Sequence, residues 1–206
     1  MPPALPPGGA PPPPPPAAAR CNECKERAEV GVCKVISPAQ PASIRAMAQR
    51  EVLRPATPAD APRVAEILIR SREVHLPFAP MAHTPDEVHA WVDQMLVPSG
   101  GVLVAEIDGE PRAMGVQAID NGVGWIEQLY VEPGFTGLGL GAALLRRLLA
   151  DLQARGAHPV RLWCFQANTG ARRFYERHGF VAVDFTDGRG NEEGCPDVLY
   201  ERSSSD

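Results

Sequence analysis

From residue 51 onward the apolar and polar positions fall into patterns that predict a series of short elements. Residues 51–54, Glu-Val-Leu-Arg, read as a short strand. Thr57-Pro58-Ala59-Asp60 is a helix start: a Thr cap, Pro at the first helical position and an acid three residues after the cap. Val64, Ile67 and Leu68 give that helix an apolar face. Thr84-Pro85-Asp86-Glu87 repeats the signal as a full capping box. Val88, Trp91, Val92, Met95 and Leu96 follow at helical spacing.

The period then changes. Residues 101–107 are apolar and rich in β-branched side chains, and Asp108-Gly109 is a hairpin turn signal. Residues 113–119 form the return strand, Asn121-Gly122 is a second turn, and 123–131 is a third strand. Together they predict an antiparallel meander. Residues 139–155 read as a helix with Leu144, Leu145, Leu148, Leu149 and Leu152 as its buried stripe, ended by Gly156. A strand over 160–165 is followed by a helix from Asn168 to His178, ended by Gly179. Late strands lie at 180–185 and 198–200, separated by a polar loop over 187–197. The order β-α-α-β-β-β-α-β-α-β-β predicts an α/β fold: a mixed, mainly antiparallel central sheet flanked by helices.

Residues 1–50 differ in kind. Pro11 to Pro16 is an unbroken proline run, which favours polyproline II or disorder. The expectation is a disordered Pro-rich tail over 1–50, a globular domain over 51–202 and a flexible end over 203–206. Cys21, Cys24 and Cys33 lie in the tail, but a zinc site needs about four ligands and no fourth is near in sequence. They read as stray thiols, and no metal site is expected. Met47 stands just before the first strand and is a candidate natural start.

At 206 residues the chain can hold one sizeable core with a tail. A net charge of −5 does not imply a nucleic-acid surface. No apolar run is long enough to span a bilayer, and the start lacks a secretory pattern. Five scattered cysteines fit a reducing, cytoplasmic setting. The expected partners therefore exclude nucleic acid and membrane.

The chemistry concentrates after the third strand. Val131-Glu132-Pro133-Gly134-Phe135-Thr136-Gly137-Leu138-Gly139-Leu140-Gly141-Ala142 carries an apolar strand into a glycine-rich loop and straight into a helix. Glycines admit a ligand that a Cβ would hold off, and the helix start adds unpaired donors. The combination is an anion site suited to phosphate or pyrophosphate. No Lys-Ser/Thr follows the glycines, so this is not a P-loop.

With Leu129-Tyr130-Val131-Glu132-Pro133 ahead of it, the loop resembles the acyl-CoA pyrophosphate loop of the GNAT superfamily of N-acetyltransferases. Asn168-Thr169-Gly170-Ala171-Arg172-Arg173-Phe174-Tyr175-Glu176-Arg177-His178-Gly179-Phe180 is similar to that family's second block. Asp187-Gly188, Asn191-Glu192-Glu193 and residues 196–200 resemble its final hairpin. The resemblance covers residues 51–202. It implies acetyl-CoA as co-substrate and acetyl transfer to a primary amine of a small molecule or protein, by direct attack in a ternary complex. Homodimers are common in the family.

The resemblance also implies roles. Thr136, Gly137, Leu138, Gly139, Leu140, Gly141 and Ala142 would hold the pyrophosphate. The family usually has Gln or Arg where Thr136 stands, so a charge-assisted contact is missing and weaker binding is expected. Leu129, Tyr130 and Val131 would present main-chain groups to the pantetheine arm where their strand splays from the next. Asn168 would bond that arm or only cap its helix. Arg172 and Phe174 complete the cofactor set, with Arg172 reaching a phosphate or remaining solvated. Tyr175 would protonate the departing thiolate. Glu127 is the candidate base, placed by strict alternation on the same face as Leu129. Glu192, Glu193 or a water chain are alternatives, and Cys164 reads as core rather than nucleophile. His83 and Trp91 border the segment that lies over the acceptor site in the family. A non-catalytic acyl-CoA-binding or regulatory module on the same fold is the alternative function.

Overall fold

The computed structural model describes residues 51–203. The expected tail, with Cys21, Cys24, Cys33 and Met47, and residues 204–206 lie outside the described residues. Among the described residues, seven strands and four α-helices follow the expected order. They are β1 (Glu51–Pro55), α1 (Ala61–His75), α2 (Pro85–Trp91), β2 (Val102–Ile107), β3 (Glu110–Asp120) and β4 (Val123–Val131). Then come α3 (Leu140–Ala154), β5 (Val160–Phe165), α4 (Thr169–Arg177), β6 (Val181–Phe185) and β7 (Asp197–Arg202).

All these strands join one sheet in the order β1-β2-β3-β4-β5-β7-β6. Every pair is antiparallel except β4 with β5. The two predicted turns form as their sequences require. Asp108, Gly109, Asn121 and Gly122 all have φ between 49° and 84°, the paired left-handed values of a tight hairpin.

Alternation along the strands feeds two cores on opposite faces. Leu103, Ala105 and Ile107 of β2 pack with α3, while Val102 and Val104 pack with α1 and α2. Leu144, Leu145, Leu148 and Leu152 of α3 are wholly buried, each contributing about 2 kcal/mol of hydrophobic stabilisation. Leu149 is only partly covered. Gly115 of β3 lets α3 sit close, because a Cβ there would lie 2.8 Å from Leu148 Cδ1.

The second helix departs from expectation. The Thr84–Glu87 box forms, with Thr84 N donating to the Glu87 carboxylate at 2.8 Å. The α-helix ends at Trp91, widens to a π-turn over Val92–Leu96 and tightens over Val97–Ser99. Val88, Val92 and Leu96 form the buried row, while Trp91 and Met95 face solvent. A single row four residues apart suffices to cover the short helix's contact with α1. No helix among the described residues is long and apolar enough to cross a membrane.

Candidate active site

β4 and β5 pair at only two positions, Gly124 with Val160 and Trp125 with Arg161. Beyond them the strands diverge, although β4 runs on to Val131 and β5 to Phe165. The wedge between them opens a cleft of about 280 Å³. Glu127, Leu129, Tyr130, Asn168 and Tyr175 all line it.

The wedge exposes main chain. Glu132 N donates to Arg112 O at 2.8 Å, so Ala113 and Val131 form a pair without mutual hydrogen bonds. Two residues back, Gly115 and Leu129 are paired in the same sense. The N–H and C=O groups of Leu129 and Val131 therefore point away from β3, into the wedge. Ser71 of α1 already donates to the Val131 carbonyl at 2.7 Å, leaving the Leu129 groups and the Val131 N–H open to a ligand.

An irregularity in the β3–β4 pairing falls at Glu127. The β3–β4 register runs Val116 with Gln128, then Gln117 with Ile126, so Glu127 is the extra residue of a β-bulge. Ile126 and Leu129 both pack into the α3 core despite being three residues apart. Alternation is thus broken between Ile126 and Gln128, while Glu127 and Leu129 both line the cleft. The Glu127 side chain is accessible within the cleft, yet the surrounding walls strip enough water to raise its pKa.

Tyr175 of α4 is 9% exposed and sits among Phe174, Phe180 and Tyr200, with ring centres 5.3, 5.8 and 6.3 Å away. Burial pushes its pKa strongly upward, with smaller contributions from Cys164 and Tyr130. Its hydroxyl is thus a firmly held proton. Cys164, on β5, is buried, and its thiol is pushed up to about 12. A thiol so hard to ionise suits packing, not nucleophilic attack.

The glycine loop lies at the far end of β4. Gly134, Gly137 and Gly139 have φ of 92°, 80° and 95°, values that a side chain would strain. Gly139 is the N-cap of α3; no side chain caps the helix, and no acid stands in its first turn. Its free donors and dipole are unopposed by local negative charge. Leu140 is buried beneath the loop, whereas Thr136 and Leu138 are exposed. At Gly141, beside Ala142 in the first turn, a Cβ would meet Val131 Cγ2 at 3.5 Å and Phe174 Cζ at 3.9 Å. Phe174 therefore backs the helix start.

Asn168 caps α4, accepting from Ala171 N at 3.1 Å, and also borders the cleft. Arg172 donates to the Tyr200 hydroxyl at 3.1 Å and to Gln166 O at 3.3 Å, and it does not line the cleft. On the opposite side Arg72 is the residue from outside the predicted set, whereas Glu193, Glu192 and His83 were expected near the site. Arg72 of α1 pairs with Glu193 at 2.5 Å and lies 6.0 Å from the Phe165 ring centre. Burial works against its charge, but Tyr130 and Glu193 outweigh that and raise its pKa. His83 meets Glu192 at 3.1 Å. These contacts tie the segment after α1 to the β6–β7 loop across one side of the cleft. An arginine in a helix's last turn carries no sequence signal for such a role.

Residues 63–180, more than half of the chain, match the acetyltransferase (GNAT) family. An uncharacterised N-acetyltransferase of Mycobacterium tuberculosis is 33% identical across 59% of this chain and 83% of its own length. One from Archaeoglobus fulgidus is 42% identical across 36% of this chain and 56% of its own. The chain thus spans about half the length of that archaeal relative, and 42% of a second one from Methanocaldococcus jannaschii. Among solved structures, the PaiA N-acetyltransferase of Thermoplasma acidophilum, in complex with coenzyme A, superposes with a TM-score of 0.61. It is 18% identical and covers 75% of this chain and 99% of that one, a likeness of fold. The chain belongs to the acetyltransferase (GNAT) family.

Proposed function

We propose that the protein is an acetyl-CoA-dependent N-acetyltransferase that moves an acetyl group to a primary amine by direct attack in a ternary complex. The observation that carries this reading is the β4–β5 wedge, open in main chain along Leu129 and Val131 and running toward an uncapped, glycine-lined helix start. The pyrophosphate would lie on the main-chain donors from Thr136 to Ala142. The pantetheine arm would complete the edge left by Leu129, Tyr130 and Val131, since unpaired strand groups favour a ligand that pairs them. The Asn168 side-chain amide borders the same path.

An alkylammonium with a pKa near ~10 must lose its proton before it can attack. Glu127, without an ion-pair partner among the described residues and raised in pKa, would take that proton directly or through water. Tyr175 would return one to the departing thiolate. Its high pKa keeps the hydroxyl protonated at neutral pH, which suits a donor. The acceptor would enter beside Arg72, Glu193 and Asn191, and the setting would be cytoplasmic.

Calorimetric titration of acetyl-CoA tests the reading. Saturable binding, lost in Gly139→Val and Gly141→Leu variants that still fold, is expected. A well-folded chain that binds no acetyl-CoA would sink it. A panel of amines with thiol-release detection then separates an enzyme from a binding module.

A further inference from the structure

Glu132 follows the last residue of β4 and precedes the glycine loop. Its side chain is 5% exposed, and its carboxylate is shared by three guanidinium groups. Arg63 and Arg70 reach it from α1, Arg70 at 3.0 Å, and Arg112 reaches it from β3 at 3.0 Å. Arg112 also lies 4.7 Å from the centre of the Phe135 ring, which is inside the loop. Main-chain bonds add to the grip: Glu132 N to Arg112 O at 2.8 Å and Phe135 N to Glu132 O at 3.0 Å. The point where strand becomes loop is therefore fastened from two elements on either side.

The next residues lack such support. Thr136, Gly137, Leu138 and Gly139 are exposed, and the positive-φ glycines bring no stiffness of their own. A set of main-chain donors binds an anion well only if it is arranged before the anion arrives. The direction in which this loop leaves the sheet is decided at Glu132.

We propose that Glu132 is a positioning residue, which through Arg63, Arg70 and Arg112 fixes the root of the glycine loop and so sets its affinity for the pyrophosphate of acetyl-CoA. The inference rests on the acetyl-CoA reading above. It assigns a positioning role to a cluster of arginines gathered around one buried carboxylate. A cluster serving stability alone would predict a different pattern of loss.

The test compares two ligands on the whole chain: acetyl-CoA, and S-acetylpantetheine at millimolar concentration, which lacks the pyrophosphate. Glu132→Gln removes the shared charge. Arg112→Gln leaves Glu132 two arginines and decides the matter if the first variant fails to fold. The expected result is acetyl-CoA binding weakened on the order of tenfold, as a small misplacement of binding groups produces, with S-acetylpantetheine held within about twofold. Unchanged acetyl-CoA affinity in a folded variant overturns the proposal. So does an equal loss of both ligands, which would mark general loosening. A wild-type chain that binds no acetyl-CoA refutes the functional reading itself and takes this inference with it.

Discussion

Replacing Gly115 with alanine is expected to weaken the fold and the cleft together. The new methyl would stand 2.8 Å from Leu148 Cδ1 and 3.4 Å from Leu129 Cδ1. Leu148 is wholly buried, so its side chain can yield only by disturbing neighbours. Overpacking of this kind costs about 1–3 kcal/mol. The backbone at Gly115 is ordinary strand, so alanine also restricts the unfolded chain, a gain of about 0.5–1 kcal/mol. At the middle of both ranges the net loss is about 1 kcal/mol, or roughly 2–4 °C in melting temperature for a domain of this size. Leu148→Ala alone leaves a cavity and costs about 3 kcal/mol. In the double variant the methyl introduced at position 115 occupies part of that cavity, and the combined loss falls short of the sum by about 1 kcal/mol. Urea titrations with a common slope measure all three. If Gly115→Ala is neutral, or the two losses add within about 0.5 kcal/mol, the close approach of α3 to β3 does not limit packing and the reasoning fails.

Three further outcomes can be checked. Tyr175→Phe removes a hydroxyl that has no hydrogen-bond partner among the described residues, so stability should move by less than about 0.5 kcal/mol. Its thiol-release rate should fall on the order of 10²–10⁴-fold, and full turnover would refute the assigned role. For Glu127, whose pKa is raised by desolvation, the active form is the deprotonated one, so the wild-type rate should decline as pH falls through a value above the usual ~4.3. Glu127→Gln should be slow and lack that acid limb; a variant that retained it would point to another base. Acid stability tests the buried carboxylates. Hydrogen bonds from Arg54 hold Asp60 well below the usual range, and at Glu132 the arginines, led by Arg63, outweigh burial and lower the pKa. Both groups stabilise fully above about pH 5, beyond their unfolded-state values, and lose that contribution as pH falls through their depressed values. Chemical denaturation between about pH 2 and 5 should therefore show a shallower pH slope in Glu132→Gln, and an unchanged slope would contradict the pairing.

Local signals carried most of the architecture. The Thr84–Glu87 box, the Asp108-Gly109 and Asn121-Gly122 turns and the leucine stripe of α3 each depend on residues near in sequence, and each formed. What depended on a partner strand was not legible. The bulge at Glu127 exists only because β3 and β4 pair in one register, and no residue type announces it. Arg72 and Glu193 lie far apart in sequence, and their meeting depends on how α1 and the β6–β7 loop fold over the cleft. Glu132 read simply as a link between strand and loop, since its three arginines come from α1 and β3.

The two-pair contact between β4 and β5 has a consequence for motion. Hydrogen bonds run continuously from β1 to β4 and from β5 to β6, but the halves are stitched together along one short stretch at Gly124 and Trp125. The unliganded sheet has a seam, and its amides at Leu129 and Val131 face that seam. A ligand lying in the wedge would act as an extra strand, closing the ladder across it. Binding should then slow hydrogen exchange at those two amides more than at the hairpins, and the melting temperature should keep rising with the logarithm of free ligand above its Kd. The site would be a piece of the sheet that the protein leaves for its substrate to supply.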